Sequence, residues 1–203
     1  MILLNSIRSL IRRGVIKSIL LILCLSLPLY SVASAPLAPS TPTADQFIFP
    51  VNVVKQRINL TITIPKTFKQ IESGSPTLLE FIPVNDSDPY NWSEIITLRP
   101  FIGNGLSAQQ IVEHVVESIK HRSRNFKLIE RKIQKHELYE EVSALIVYNN
   151  GDRIELLYLY AAAGPYDSIN VQYAKTLKSR TEIPSARNKI KAFLSKNVEM
   201  LRN

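Results

Sequence analysis

The densest group of chemically active side chains is a basic run in the second half of the chain. Residues 120–135 contain seven cations and a single acid, Glu130. The cations are Lys120, Arg122, Arg124, Lys127, Arg131, Lys132 and Lys135. Such a cluster can contact an anionic lipid, a polysaccharide, a nucleic acid or an acidic protein face. It is also typical of a solvated helix end that leads into an exposed strand, because cations complement the dipole at a helix C-terminus.

A second candidate is the loop of residues 85–93, which holds two acids and an aromatic pair that includes the only tryptophan. Tyr90 or Trp92 would anchor a partner if exposed, because aromatic side chains dominate many interfaces. The alternative is an ordinary connection in which Trp92 folds back on the core. Asp86 and Asp88 begin like a calcium-binding loop, but the glycine and the bidentate acid of that motif are missing from their places.

A metal site and an enzyme site are both poorly supported. His114, Glu117 and His121 have the three- and four-residue spacings that place side chains on one helical face, within reach of one ion. The HExxH pattern is absent, and the same residues occur on ordinary solvated helices. The chain also lacks GxSxG and a glycine-rich phosphate loop. We therefore expect no metal, no cofactor and no catalytic residues, with an unrecognised enzyme site as an alternative.

The N-terminus predicts export. Residues 1–35 comprise a basic segment ending at Lys17, an apolar stretch and the small residues Ala33 to Ala35, which is typical of a secretory signal peptide. Residues 36–45 form a Pro-rich tether. An uncleaved anchor is the alternative, and it would be the only membrane contact. In both cases the remainder, residues 46–203, is expected outside the cytoplasm, in the periplasm or secreted.

Export changes how composition and charge are interpreted. The formal charge of +8 includes four cations in residues 1–35, so that 21 basic and 17 acidic residues remain, a net of +4. This mild basicity does not favour a dedicated nucleic-acid binder. The only cysteine, Cys24, lies inside the signal segment, so the exported chain has no disulfide, thiolate-metal site or cysteine nucleophile.

The candidate residues must be positioned by a sheet whose centre is predicted in residues 137–176. Three antiparallel strands are expected near residues 138–148, 153–162 and 168–176, with turns at Asn149–Asp152 and Gly164–Asp167. The first two strands are apolar on both faces, which is typical of central strands covered on both sides. The third alternates apolar and polar residues, and we expect it nearer the sheet edge.

The other segments predict an α+β fold. Strands are expected at residues 47–54, 57–64, 77–82, 94–99 and 126–134, with a short helical turn or irregular link at 66–73. Ser107 and Gln110 form a capping box for one amphipathic helix, and a second begins at Pro184 with Leu201 on its apolar face. The prediction is a single domain, a mainly antiparallel β-sheet flanked by two amphipathic helices.

The order of segments resembles the PsbP-like fold: ITLRPF, SAQQIVEHVVESIKHR, FKLIERKI, EEVSALIVYNNGDRIELLYLYAAA, DSINVQYAKT and a closing helix. That fold is shared by an extrinsic photosystem subunit, a Ran-binding nuclear import factor and exported bacterial proteins. The resemblance implies a module that binds other macromolecules and brings no catalytic residues. Ran binding is incompatible with export.

These observations predict an exported, non-enzymatic binding module, an accessory or assembly factor of the bacterial envelope or of a secretion system. The expected partner is a protein of the envelope or of a host. The alternatives are a secreted effector or enzyme, and a basic-surface binder of anionic lipid or polysaccharide. The candidate partner-binding residues are Tyr90, Trp92, Arg122, Arg124, Lys127, Arg131, Lys132 and Lys135.

Overall fold

The computed structural model describes residues 46–53, 56–73, 75 and 77–202, and the predicted signal peptide and tether lie outside them. Within these ranges the chain forms ten strands, two α-helices and a 3-10 turn at Arg180–Glu182. The strands are β1 (Gln46–Val53), β2 (Gln56–Thr63), β3 (Phe68–Ile71), β4 (Leu79–Pro83), β5 (Glu94–Phe101), β6 (Arg124–Lys135), β7 (Glu140–Asn150), β8 (Arg153–Ala163), β9 (Ser168–Leu177) and β10 (Val198–Arg202). The helices are α1 (Ala108–Arg122) and α2 (Ile183–Asn197).

The strands form two antiparallel sheets. Seven strands are hydrogen-bonded in the order β3-β4-β5-β9-β8-β7-β6, and the other three in the order β1-β2-β10. The consecutive strands β6 to β9 pair as neighbours because short turns join them. This arrangement confirms the predicted α+β class with a mainly antiparallel sheet.

The predicted β7–β8 hairpin is present. Asn150 pairs with Arg153, which leaves Gly151 and Asp152 as a two-residue turn. Gly151 has a φ of +63°, a left-handed conformation that glycine adopts without steric cost.

The seven-stranded sheet carries one helix on each face. On one face, Ile111 and Val112 of α1 pack against Ile146 and Leu159. On the other face, α2 and the small sheet pack against alternate residues of the same strands, in a cluster that includes Ile190, Phe193, Leu60, Ile62, Leu145, Val147 and Leu156. The two covered faces explain why β7 and β8 are apolar on both sides, and they confirm the two flanking helices.

The prediction that the third strand lies near the edge was wrong. β9 is the fourth of the seven strands, paired with β5 on one side and β8 on the other. On the face of β9 that is turned toward α1, Asn170 is only 2% exposed. The alternation of apolar and polar residues in β9 therefore reflects a face with buried polar side chains and not a solvent-exposed face.

Two further predictions required correction. Residues 66–73 contain the strand β3, which pairs with β4, instead of a helical turn or irregular link. The closing helix ends at Asn197, whose side-chain amide donates to the carbonyl of Phe193 at 2.7 Å. Leu201 therefore lies in β10, opposite Asn59 of β2, and not on the helix. Pairing with β2 supplies the backbone hydrogen bonds that another helical turn would have made.

Candidate functional site

The basic run begins in a well-defined helix and passes directly into a strand. The Ser107 hydroxyl accepts from the Gln110 amide at 3.1 Å, and the Gln110 side chain accepts from the Ser107 amide at 2.9 Å, which confirms the predicted capping box of α1. At the other end, the Ser123 amide still donates to the carbonyl of Ile119. Asn125, the second residue of β6, has a φ of +52°, and this left-handed residue lies at the register shift between Arg124 and Lys127.

β6 is the outermost strand of the seven-stranded sheet, so the basic run lies along a sheet edge. It is twelve residues long and pairs only with β7 among the described strands. Its register shifts between Arg124 and Lys127 and again between Leu128 and Glu130. From Glu130 to Lys135 the pairing with β7 is regular.

The register divides the cations between the two faces of the sheet. Lys127 is opposite Val147 and Lys132 is opposite Ser143, which places both on the α2 face. Arg131 is opposite Ala144, on the α1 face. Lys135 falls on the same face as Arg131 because side chains in a strand alternate.

Three of the seven cations have partners on α1. Lys120 pairs with Glu117 at 3.1 Å, and Arg131 pairs with Glu113 at 2.8 Å. The Arg122 Nε donates to the carbonyl of Ser118 at 3.0 Å. The hydrogen bond from Arg131 lowers the pKa of Glu113.

Glu130 also has partners, on the opposite face. It accepts from Arg187 at 2.6 Å and from Lys191 at 2.9 Å, both in α2. The hydrogen bond from Lys191 has the largest effect and lowers the pKa of Glu130; burial opposes it, and the hydrogen bond from Arg187 adds to the lowering. The single acid of the run therefore holds α2 to the edge strand and neutralises none of the β6 cations.

The side chains of the other four cations are exposed and make no hydrogen bond or ion pair with any other described residue; they are Arg124, Lys127, Lys132 and Lys135. Two large apolar side chains of the same strand are also exposed, Leu128 by 43% and Ile133 by 44%. We call the strand with these six residues the β6 edge.

The two aromatic candidates differ in exposure. Tyr90 is 68% exposed, whereas Trp92 is partly buried against the α1-side core. Arg153 covers Trp92, with its guanidinium 5.1 Å from the ring centre and a 2.6 Å hydrogen bond to the Trp92 carbonyl. In the described part of the chain, no hydrogen bond or ion pair joins Tyr90 or Trp92 to the β6 edge. The two candidate groups lie on different elements, the β4–β5 loop and β6.

The histidines of α1 do not form a metal centre in the structure. His121 Nε2 lies 3.7 Å from Glu117 Oε2, and both side chains are more than half exposed. Across the described ranges, no three His, Cys, Asp or Glu residues are grouped closely enough to hold a metal ion. In the same residues, no helix has the length and apolarity needed to cross a membrane.

The structure contains a cleft that sequence reasoning missed. It has a volume of about 340 Å³ and lies on the α2 face, beside the C-terminal end of that helix. Its lining residues are Lys132, Gln134, Glu141, Ser143, Tyr158, Tyr160, Leu194, Val198 and Met200. The sequence signal was present in β7 and β8, where Ser143, Tyr158 and Tyr160 interrupt apolar strands on one face. It could be recognised only once the register was known.

The tyrosines of this cleft are partly desolvated. Burial raises the pKa of Tyr158. Burial and then the negative charge of Glu141 raise the pKa of Tyr160. Both phenols are therefore protonated at neutral pH and serve as hydrogen-bonding groups.

Comparisons with known proteins identify the fold. No protein-family model and no curated protein matches the chain. The solution structure of cyanobacterial PsbP (CyanoP) from Synechocystis is similar with a TM-score of 0.50 and 9% identity, over 82% of this chain and 100% of that one. The predicted PsbP-like fold is thus confirmed.

Two other solved structures are also similar. The Ran-binding protein Mog1p of Saccharomyces cerevisiae has a TM-score of 0.47 and 10% identity, over 69% of this chain and 89% of its own. LpqN, involved in cell envelope biogenesis of Mycobacterium tuberculosis, has a TM-score of 0.48 and 10% identity, over 76% and 91%. At such low identity these likenesses concern the fold and not the function.

Proposed function

We propose that this PsbP-like chain is an exported, non-enzymatic binding module, an accessory or assembly factor of the bacterial envelope, and that the β6 edge contacts its protein partner. The observation that supports the proposal best is the combination found there. Among the described residues, β6 has an unpaired edge, four cations whose side chains have no partner and two exposed apolar side chains. The signal-like residues 1–35 support export.

The backbone of β6 suggests the mode of binding. An edge strand presents a row of unpaired N–H and C=O groups, to which an extended segment can add as a further strand. The regular half of β6, from Glu130 to Lys135, is the best template because its register with β7 is unbroken. Ile133 lies within that half and would contact an apolar side chain of the added strand.

The charges of the β6 edge define the chemistry of the partner. Lys132 and Lys135 project to opposite faces, so a strand with acidic side chains on both faces would be complementary to them. A second copy of this chain paired through β6 would place cations beside cations, which is unfavourable. The proposed partner is therefore a different protein with an acidic, extended segment.

The division of the cations disfavours a flat anionic surface as the ligand. A lipid or polysaccharide surface would contact one face of the sheet at a time. On the α2 face, Arg187 and Lys191 lie on the same side of the sheet as Lys127 and Lys132. Both Arg187 and Lys191 are already paired with Glu130. An enzyme or secreted effector would require a different observation, such as catalytic groups converging in a cleft.

Site-specific photocrosslinking in cells tests the proposal. We would place a crosslinker at Ile133, with a control at Tyr166, which is similarly exposed but lies in the β8–β9 turn. We expect one envelope protein to crosslink at residue 133 and not at residue 166. The double variant Lys127→Glu and Lys135→Glu should abolish that product, and neither residue lines the cleft.

Two results would contradict the proposal. The first is equal crosslinking at both positions, and the second is crosslinking only to lipid at residue 133. The second would instead support the binder of anionic lipid.

A further inference from the structure

The cleft beside α2 has a polar floor built by cross-strand neighbours. Lys132 pairs with Ser143, and Gln134 pairs with Glu141, so these four residues form a rectangle on β6 and β7. Tyr160 lies opposite Ser143 and extends the floor onto β8. The sheet register therefore determines the positions of the polar groups, independently of loops.

The floor presents one positive and one negative group that do not neutralise each other. Lys132 and Glu141 are diagonal neighbours, a relationship that separates side-chain origins by about 7–8 Å. No ion pair joins them in the part of the chain that the structure describes, and Lys132 makes no hydrogen bond there. The Lys132 ammonium is thus available to a ligand, and the Glu141 carboxylate has only His136 within ion-pair distance among the described residues.

Glu141 is held in place by its neighbours. Its side chain is only 19% exposed, and it lies near enough to Tyr160 for its negative charge to raise the pKa of that hydroxyl. His136 Nε2 lies 3.4 Å from Glu141 Oε1 but makes no hydrogen bond of good geometry. The imidazole therefore limits the movement of the carboxylate only by occupying the space beside it. A carboxylate in this setting keeps acceptor capacity for one more donor.

The opposite wall of the cleft is apolar. Leu194 of α2 and Val198 and Met200 of β10 line it, and all three are partly buried against the core. Methionine adapts to side chains of different shape, which suits a site for an apolar group of variable size.

We infer that this cleft binds a dipeptide with free ends and an apolar side chain. The ammonium group of the dipeptide contacts Glu141 and the hydroxyls of Tyr158 and Tyr160. Its carboxylate contacts Lys132, and its apolar side chain packs on Leu194 and Met200. Two extended residues span about 7 Å, which is comparable to the diagonal spacing at which the Lys132 and Glu141 side chains leave their strands. The volume of about 340 Å³ is at the lower end of the usual range for ligand sites.

The arrangement excludes simpler ions as the preferred ligand. A lone anion would be attracted by Lys132 and repelled by Glu141, and a lone cation would meet the reverse. A ligand that carries both charges at the right separation gains both attractions. This inference does not depend on the proposed function of the β6 edge.

Isothermal titration calorimetry tests the inference by measuring dipeptide affinity for the full chain, expressed with its natural N-terminal residues. The probe is alanyl-leucine, compared with N-acetyl-alanyl-leucine, alanyl-leucine amide and glycyl-glycine. We expect alanyl-leucine to bind at least about tenfold more tightly than each of the others, because each lacks one charge-assisted or apolar contact. Equal binding of a capped peptide, or no binding of alanyl-leucine, overturns the inference.

Variants assign the two charges separately. Glu141→Gln should remove the preference over the N-acetyl peptide, and Lys132→Met should remove the preference over the amide. Lys127→Met is the matched control, since Lys127 lies on the same strand and face but outside the cleft lining. If Lys132→Met and Lys127→Met leave the same peptide preferences, the assignment is wrong. Crosslinking at Ile133 is read independently, so failure of either proposal is distinguishable from failure of the other.

Discussion

Lys189 of α2 donates a 2.6 Å hydrogen bond to Glu94, the first residue of β5 and 95 positions earlier in the chain. Glu94 also accepts from Lys175 at 2.6 Å and from the hydroxyl of Tyr173. Its side chain is only 7% exposed, so the carboxylate depends on these donors. The cluster ties the C-terminal helix to the centre of the seven-stranded sheet.

Substitution of Glu94 by glutamine should destabilise the protein in a pH-dependent way. Burial raises the pKa of Glu94, but hydrogen bonds from Lys175, Lys189 and Tyr173 together outweigh it, so the folded pKa lies below 4.5. A lowered folded pKa contributes stability above the unfolded pKa, and that contribution is lost as the pH falls through the folded value. We expect the free energy of unfolding to fall by about 2 kcal/mol at pH 7. The loss is no larger because Lys175 and Lys189 are already in partial contact with water and can be hydrated when the carboxylate is removed.

Urea unfolding at neutral and strongly acidic pH measures this effect. The difference between wild type and Glu94→Gln should shrink in acid, where the wild-type carboxylate is protonated. Glu117→Gln removes an exposed pair with Lys120 and serves as the control, with an expected change below about 0.5 kcal/mol. A pH-independent difference would contradict the explanation.

Substitution of Arg153 by alanine should expose the indole of Trp92. The guanidinium lies 5.1 Å from the ring centre, and two of its hydrogen bonds hold the loop through the carbonyls of Tyr90 and Trp92. We expect a red shift of the tryptophan emission and a loss of about 1–2 kcal/mol in the free energy of unfolding. Because the chain has one tryptophan, the emission reports this position alone.

The matched control is Arg99→Ala. The Arg99 guanidinium lies 5.2 Å from the ring centre of Phe101, a comparable contact within β5 that does not involve Trp92. This variant should leave the emission maximum of Trp92 unchanged. A red shift of similar size in both variants would indicate a general loosening of the fold instead.

Substitution of Ser107 by alanine should cost about 1 kcal/mol, because it removes the acceptor that satisfies an amide in the first turn of α1. The loss should be measured by urea unfolding, with Ser185→Ala as the control in an exposed first-turn position of α2. The double variant Ser107→Ala and Gln110→Ala should lose less stability than the two single variants lose together, because the two side chains form one capping box. Full additivity would contradict the reciprocal hydrogen bonding.

Substitution of Gly151 by alanine tests the β7–β8 turn. A Cβ at this position would meet nothing within 4 Å, so the cost arises from the φ of +63° alone. We expect a loss of about 1–2 kcal/mol. Gly151→Asn should cost less, because asparagine tolerates the left-handed region, and equal losses would argue against the backbone explanation.

Features determined by neighbouring residues could be predicted from the sequence. The capping box of α1 and the Gly151 turn need only residues a few positions apart. The apolar runs of β7 and β8 correctly predicted central strands with a helix on each face, because strands of that composition require two covered faces. The density of cations in residues 120–135 was also evident, but only as a run along the chain.

Features that depend on distant pairing were decided by the tertiary structure. β9 reached the centre because β5 pairs with it across 67 to 81 positions, and residues 198–202 became a strand because β2 offered a partner. The register of β6 on β7 separated Lys127 and Lys132 from Arg131, and it assembled Lys132, Glu141 and Tyr160 around one cleft. Since a shift of one residue reverses every side chain in a strand, only the paired structure determines which residues share a face.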